Sequence, residues 1–86
     1  MALPPAAPPL QPSPAALQGV RVIEMGQLIA GPFCGKTLGE FGADVIKIEA
    51  PETGDPLRNW RLIKEGTSVW WQVQSRNKRS VALDLR

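Results

Sequence analysis

The chain has 86 residues, one cysteine, no histidine and a formal net charge of +2. That length makes at most one small domain, and a domain of this size buries only about 60% of its unfolded surface, so it is marginal without staples. A single cysteine excludes an internal disulfide framework, and the lack of histidine excludes an ordinary zinc site.

Cys34 as a lone thiol fits a reducing compartment, and the cytoplasm is the expected location. The N-terminus lacks the basic start of a signal peptide and prolines break its apolar run. No arginine or lysine precedes Arg21, which also argues against an organellar presequence. No stretch of 18 apolar residues occurs, so a membrane span is not expected. So small a net charge gives no reason to expect a nucleic-acid partner.

Residues 1–16 hold six of the nine prolines and five alanines, without charge or period. They are expected to form a disordered, polyproline-like leader. Residues 17–86 read as the N-terminal segment of an α/β domain.

Val20 to Met25 has the β-branched, apolar character of a buried strand. Gly26 to Gly31 is a loop, and Pro32 suits a first helical position, where its missing N–H costs nothing. Cys34, Leu38 and Phe41 then recur at i, i+4 and i+7, predicting the core stripe of a helix that ends at Gly42. Gly35 and Gly39 are costly in a helix but line one face, where they permit close approach of a sheet or ligand. Asp44 to Glu49 is a second strand, completing a parallel βαβ unit of the nucleotide-handling kind, in which a ligand phosphate can sit at the helix N-terminus.

Pro51 to Pro56 is turn chemistry, followed by an irregular segment with Arg58, Trp60 and Arg61. Ser68 can cap a short helix with Val69, Trp70 and Val73 on one side, and Ser80 to Leu85 reads as a third strand. The three tryptophans, Trp60, Trp70 and Trp71, are read as core or interface anchors rather than adenine stackers. Arg76, Lys78, Arg79 and Arg86 cluster with only Asp84 against them, which suits either a polyanionic ligand or a solvated face.

The run Ala30 to Thr37, AGPFCGKT, is one letter from the phosphate-loop pattern G-x-x-x-x-G-K-[ST]. Pro32 removes one of the amide donors such a loop needs, and Phe33 puts bulk where phosphates would press. Proline there also starts the helix early, so Lys36 and Thr37 fall inside it.

Five segments together resemble the class III CoA-transferases: Leu17–Glu24 (LQGVRVIE), Ala30–Pro32, Leu38–Glu49 (LGEFGADVIKIE), Pro51 with Gly54-Asp55, and Asn77–Arg86 (NKRSVALDLR). The resemblance implies an open Rossmann-like α/β domain linked to a smaller one, two subunits interlocking as a homodimer, and CoA transfer between carboxylic acids. The implied mechanism is covalent catalysis by an aspartate that forms first a mixed anhydride and then an enzyme thioester. That aspartate falls beyond Arg86 in the family, so no catalytic residue is expected in this chain, and the chain alone is expected to be inactive. Coenzyme A, as acyl-CoA, is the implied ligand, a carboxylic acid the second substrate, and no metal is implied.

By the same resemblance, Ile29 and Ala30 approach the thioester end of CoA. Leu83, Asp84, Leu85 and Arg86 flank its adenosine part, with Arg86 as phosphate partner. Some members carry Gln at the position of Ile29, and a basic residue at that of Ala50, for which Arg58 or Arg61 could substitute. The alternatives are an α-methylacyl-CoA racemase-like enzyme, with a similar opening, and a non-catalytic CoA-binding remnant.

Overall fold

A computed structural model describes residues 14–86, so the leader lies, as far as residue 13, outside the described residues. In chain order the elements are β1 (Arg21–Glu24), α1 (Ala30–Glu40), β2 (Asp44–Glu49), a 3-10 turn (Pro56–Asn59), β3 (Ile63–Lys64), β4 (Thr67–Ser68), α2 (Val69–Gln74) and β5 (Lys78–Ala82). β1, β2 and β5 form a parallel sheet in that order, with β2 in the centre. This is the parallel βαβ opening of an α/β fold.

Strand β1 pairs Val22 with Val45 and Glu24 with Lys47, and β5 pairs Lys78 with Val45 and Ser80 with Lys47. Paired residues share a face. Val22, Glu24, Val45, Lys47, Glu49, Lys78 and Ser80 therefore face α1, while Ile23, Ile46, Ile48 and Val81 share the other face. No element among the described residues covers that second face, where Ile23 is 53% and Val81 44% exposed.

Helix α1 does not bury the expected stripe. Cys34 and Phe41 are exposed, and the buried helical residues are Pro32 and Gly35. The small residues face the sheet because long charged side chains fill the space between the layers. A Cβ on Gly35 would overlap the Glu24 carboxylate and sit 3.4 Å from Lys78 Cε. Pro32 is the third helical residue rather than the first, still within the turn whose amides have no intrahelical acceptor.

The third strand runs from Lys78 to Ala82, two residues earlier than its apolar letters suggest, and Leu83 to Arg86 lie beyond it. One further rung, Leu83 N–H to Glu49 O at 2.9 Å, follows. The segment after Trp60 contains an antiparallel hairpin, β3 with β4. Its turn, Glu65-Gly66, has positive φ at both residues (53° and 79°), as a type I′ turn requires. Ser68 then caps α2, accepting from Trp71 N–H at 3.2 Å. Trp60 and Trp70 meet edge to face with centroids 5.4 Å apart, and Trp71 lies under the Arg58 guanidinium at 3.9 Å, in keeping with packing roles.

Candidate functional site

The connections that follow the carboxyl ends of β1, β2 and β5 gather on one side of the sheet, where open parallel sheets bind ligands. Met25 and Gln27 after β1, Ala50 and Pro51 after β2, and the stretch from Leu83 to Arg86 after β5 line one open cleft of about 220 Å³. The four C-terminal residues expected at a ligand thus fall together with the loop after β1. Ile29 and Ala30 do not line that cleft: they are exposed at the start of α1, Ile29 as its N-cap. No acidic residue stands in the first turn of that helix and no side chain caps it.

Arg86 is exposed, and its backbone N–H (3.0 Å) and Nε (3.2 Å) both donate to Asp84 Oδ1. Those two donors, the backbone amide first, hold the Asp84 carboxyl below the ordinary value. The rest of the basic cluster is already paired within the chain: Arg76 with Glu40 at 2.7 Å, Arg79 with Asp44 at 2.7 Å and Lys78 with Glu24 at 2.6 Å. Arg58, considered as a substitute for the missing base at Ala50, is also committed, donating through Nε and Nη2 at 2.8 Å each to the two Glu49 oxygens. Glu49 further accepts from Asp55 N–H at 2.8 Å and from the Ser80 hydroxyl. Arg58 lowers the Glu49 carboxyl to about 2; burial opposes that shift, and Ser80 and the Asp55 amide reinforce it.

Beneath the loop after β1 lies a cluster of four buried charges that hydrophobic periodicity does not reveal. Lys47 Nζ meets Glu24 Oε2 at 2.6 Å and Asp55 Oδ2 at 2.7 Å, and donates to Gly26 O at 3.2 Å. Lys78 Nζ meets Glu24 Oε1 at 2.6 Å and donates to Pro32 O at 2.8 Å. Asp55 Oδ1 accepts from Leu57 N–H at 2.9 Å, capping the 3-10 turn, and from Leu28 N–H at 3.0 Å. The side chains of all four are 3% exposed or less. Two lysines against two carboxylates leave the cluster neutral, which is how such charges are tolerated away from water.

Burial would depress Lys47, but Asp55 and Glu24 raise it above the ordinary lysine value. Burial outweighs the single partner of Lys78 and, with the neighbouring Lys47, leaves it below that value. Burial would raise Asp55, but bonds from Lys47, Leu57 and Leu28 bring it below the ordinary aspartate value. The alternation in Val45-Ile46-Lys47-Ile48-Glu49 sets the charged letters on the face of Val45 and leaves Ile46 and Ile48 on the other, and the sequence alone does not say which of the two faces α1 covers.

The chain's aspartates are all engaged. Asp44 bridges Arg21 and Arg79, Asp55 is buried on Lys47, and Asp84 holds Arg86, so none is a free carboxylate facing the cleft. Lys36 and Thr37 sit well within α1, with Thr37 Oγ1 donating to Phe33 O at 2.9 Å, which is not phosphate-loop geometry. Among the described residues no group of three His, Cys, Asp or Glu side chains gathers as a metal set, and no helix is long and apolar enough to cross a membrane.

The family model for CoA-transferase family III matches residues 17–86. The succinyl-CoA–D-citramalate CoA-transferase of Chloroflexus aurantiacus is 53% identical over 74 residues, covering 85% of this chain and 18% of that protein. The human succinyl-CoA:glutarate CoA-transferase is 39% identical over 71 residues, 81% of this chain and 16% of that protein. Among solved structures, a CaiB/BaiF family protein from Brucella suis superposes with a TM-score of 0.72 at 39% identity, over 84% of this chain and 20% of that one. The chain therefore spans about a fifth or less of the length of these relatives.

Proposed function

This chain belongs to CoA-transferase family III, and we propose that the polypeptide carrying it moves CoA from succinyl-CoA to a second carboxylic acid. The donor is inferred from the named activities of relatives in Chloroflexus aurantiacus and human, which share succinyl-CoA while their acceptors, D-citramalate, L-malate and glutarate, vary. One observation carries the reading at the level of residues: Leu83 to Arg86 share an open cleft with the loop after β1, at the ligand-binding end of a parallel sheet.

In this reading Asp84 and Arg86 flank the adenosine and phosphate end of CoA, and the start of α1, at Ile29 and Ala30, abuts the thioester. The engaged state of Asp44, Asp55 and Asp84 supports a nucleophile outside residues 1–86. An aspartate carboxylate there attacks the thioester carbon and expels CoA thiolate, leaving a mixed anhydride. The thiolate attacks the aspartyl carbonyl and expels the donor acid, leaving an enzyme thioester. The acceptor carboxylate and the returning thiolate repeat the two steps in reverse. The reading includes a homodimer in the cytoplasm and no metal.

The test uses the native polypeptide with succinyl-CoA and, in turn, D-citramalate, glutarate and L-malate. Mass spectrometry is expected to find the CoA thioester of at least one acceptor together with free succinate. Absence of every exchange overturns the reading, and α-proton exchange of a 2-methylacyl-CoA in deuterated water would assign a racemase instead.

A further inference from the structure

The outward contacts of the four buried charges share a destination. Apart from the Leu57 cap, the bonds that Lys47, Lys78 and Asp55 make to main-chain atoms beyond the cluster end on the connection between β1 and α1, at Gly26 O and Leu28 N–H, and on the first turn of α1, at Pro32 O. That connection needs such support. Leu28 stands at φ 64°, a left-handed conformation that a leucine adopts only when its surroundings over-determine it. On either side the chain is pressed together, since a Cβ on Gly26 would lie 2.9 Å from Gly31 Cα. Asp55 Oδ1 is the group that accepts the Leu28 amide, and the same oxygen caps the turn after β2.

We infer that Asp55 is the positioning residue of the β1–α1 loop, fixing from the β2 side the strained turn that sets Ile29 and Ala30 against the acyl-thioester end of CoA. The inference rests on the proposed function for the ligand, and on the geometry alone for the loop. Asp55 does not itself line the cleft of Leu83 to Arg86, to which the loop contributes Met25 and Gln27, so its loss acts more strongly on the thioester end than on the nucleotide end. Lys47 serves the same loop by neutralising Asp55 and holding Gly26 O.

The test compares the native polypeptide with its Asp55→Ala variant in three readouts: hydrogen exchange at the Leu28 amide, affinity for acetyl-CoA, and affinity for adenosine 3′,5′-bisphosphate, which has no thioester. Loss of one charge-assisted hydrogen bond is expected to speed Leu28 exchange about tenfold or more and to weaken acetyl-CoA about tenfold. Adenosine 3′,5′-bisphosphate should weaken distinctly less than acetyl-CoA. Equal weakening of both ligands would show a merely structural role and overturn the proposal, as would unchanged Leu28 exchange. If Asp55→Ala does not fold, the Lys47→Met/Asp55→Leu pair removes both charges at similar volume and is read in the same way. A parent polypeptide that binds neither compound removes the proposed function, while Leu28 exchange still decides whether Asp55 pins the loop.

Discussion

On the face of the sheet that α1 covers, β1 and β2 present Glu24, Lys47 and Glu49; on the opposite face the same strands present Ile23, Ile46 and Ile48. The charged face is buried and the apolar face is open. Fully buried apolar side chains are few: only Ala43, Val45 and Leu57 are buried hydrophobics among the described residues. The space between α1 and the sheet is therefore filled largely by a neutral set of ion pairs fitted around Gly35, and such a set is intolerant of losing any one member. The isoleucine face makes no comparable demand within this chain. A parallel sheet is ordinarily covered on both sides, so the contrast separates what this segment builds for itself from what it leaves open.

The sharpest way to break the comparison is Lys47→Ala in the native polypeptide. It strands Glu24 and Asp55 beside a vacated site and should cost about 3–5 kcal/mol in chemical denaturation. A cost below about 1 kcal/mol would mean that the charged face is wet or malleable, and the contrast would collapse.

Acid titration is next. Glu49 is held at about 2 against an ordinary 4.5. A lowered folded-state value gives stability that is complete above the unfolded value and lost as pH falls through the folded one. Unfolding free energy should therefore drop between about pH 4.5 and 2, by on the order of 3 kcal/mol at most from this group. Arg58→Ala should flatten that drop. An unchanged pH profile in Arg58→Ala would remove Arg58 as its cause.

Gly35→Ala pushes a methyl group into the Glu24 carboxylate, whose two oxygens are both ion-paired and cannot swing away cheaply. A loss of about 1–3 kcal/mol is expected by denaturation, whereas an exposed helical Gly→Ala would stabilise by up to about 1 kcal/mol. The sign alone is diagnostic.

The smallest effect is expected on the open face. Ile23→Ser, at a half-exposed position, should change stability by about 0.5 kcal/mol or less if the face stays open. A loss above about 2 kcal/mol would show that further chain or a partner covers it in the native polypeptide, and would sharpen the contrast into two buried layers of opposite chemistry.

The βαβ opening was legible because it rests on strong local signals: β-branched runs at both strands, a glycine-rich loop between strand and helix, and Gly42 where α1 ends. The helix stripe was misread because periodicity assumes that apolar letters face the core, and here the space under α1 is taken by lysine and glutamate stems, which only glycine and proline can face closely. The third strand begins two residues before its apolar letters for the same reason: Lys78 reads as a surface letter, but Glu24 holds it in the buried layer. The β3–β4 hairpin was missed although Glu65-Gly66 marks its turn, since its strands are only two residues each. Of the candidate site, the residues after β5 do line the cleft, whereas the supports of the β1–α1 loop come from residues 47, 55 and 78, which no local window joins to it.

Those distances in sequence carry a consequence for how the molecule is made. The amide of Leu28 waits 27 residues for its acceptor in Asp55, and the carbonyl of Pro32 waits 46 for Lys78. During synthesis the first strand, loop and helix leave the ribosome with Glu24 unpaired and the Leu28 turn unheld. Lys47 and Asp55 arrive first, and the set is complete only when the strand that carries Lys78 arrives. The loop and the start of α1 are thus completed by residues that emerge well after them, and a nascent chain halted between residues 55 and 78 would hold them by one lysine instead of two.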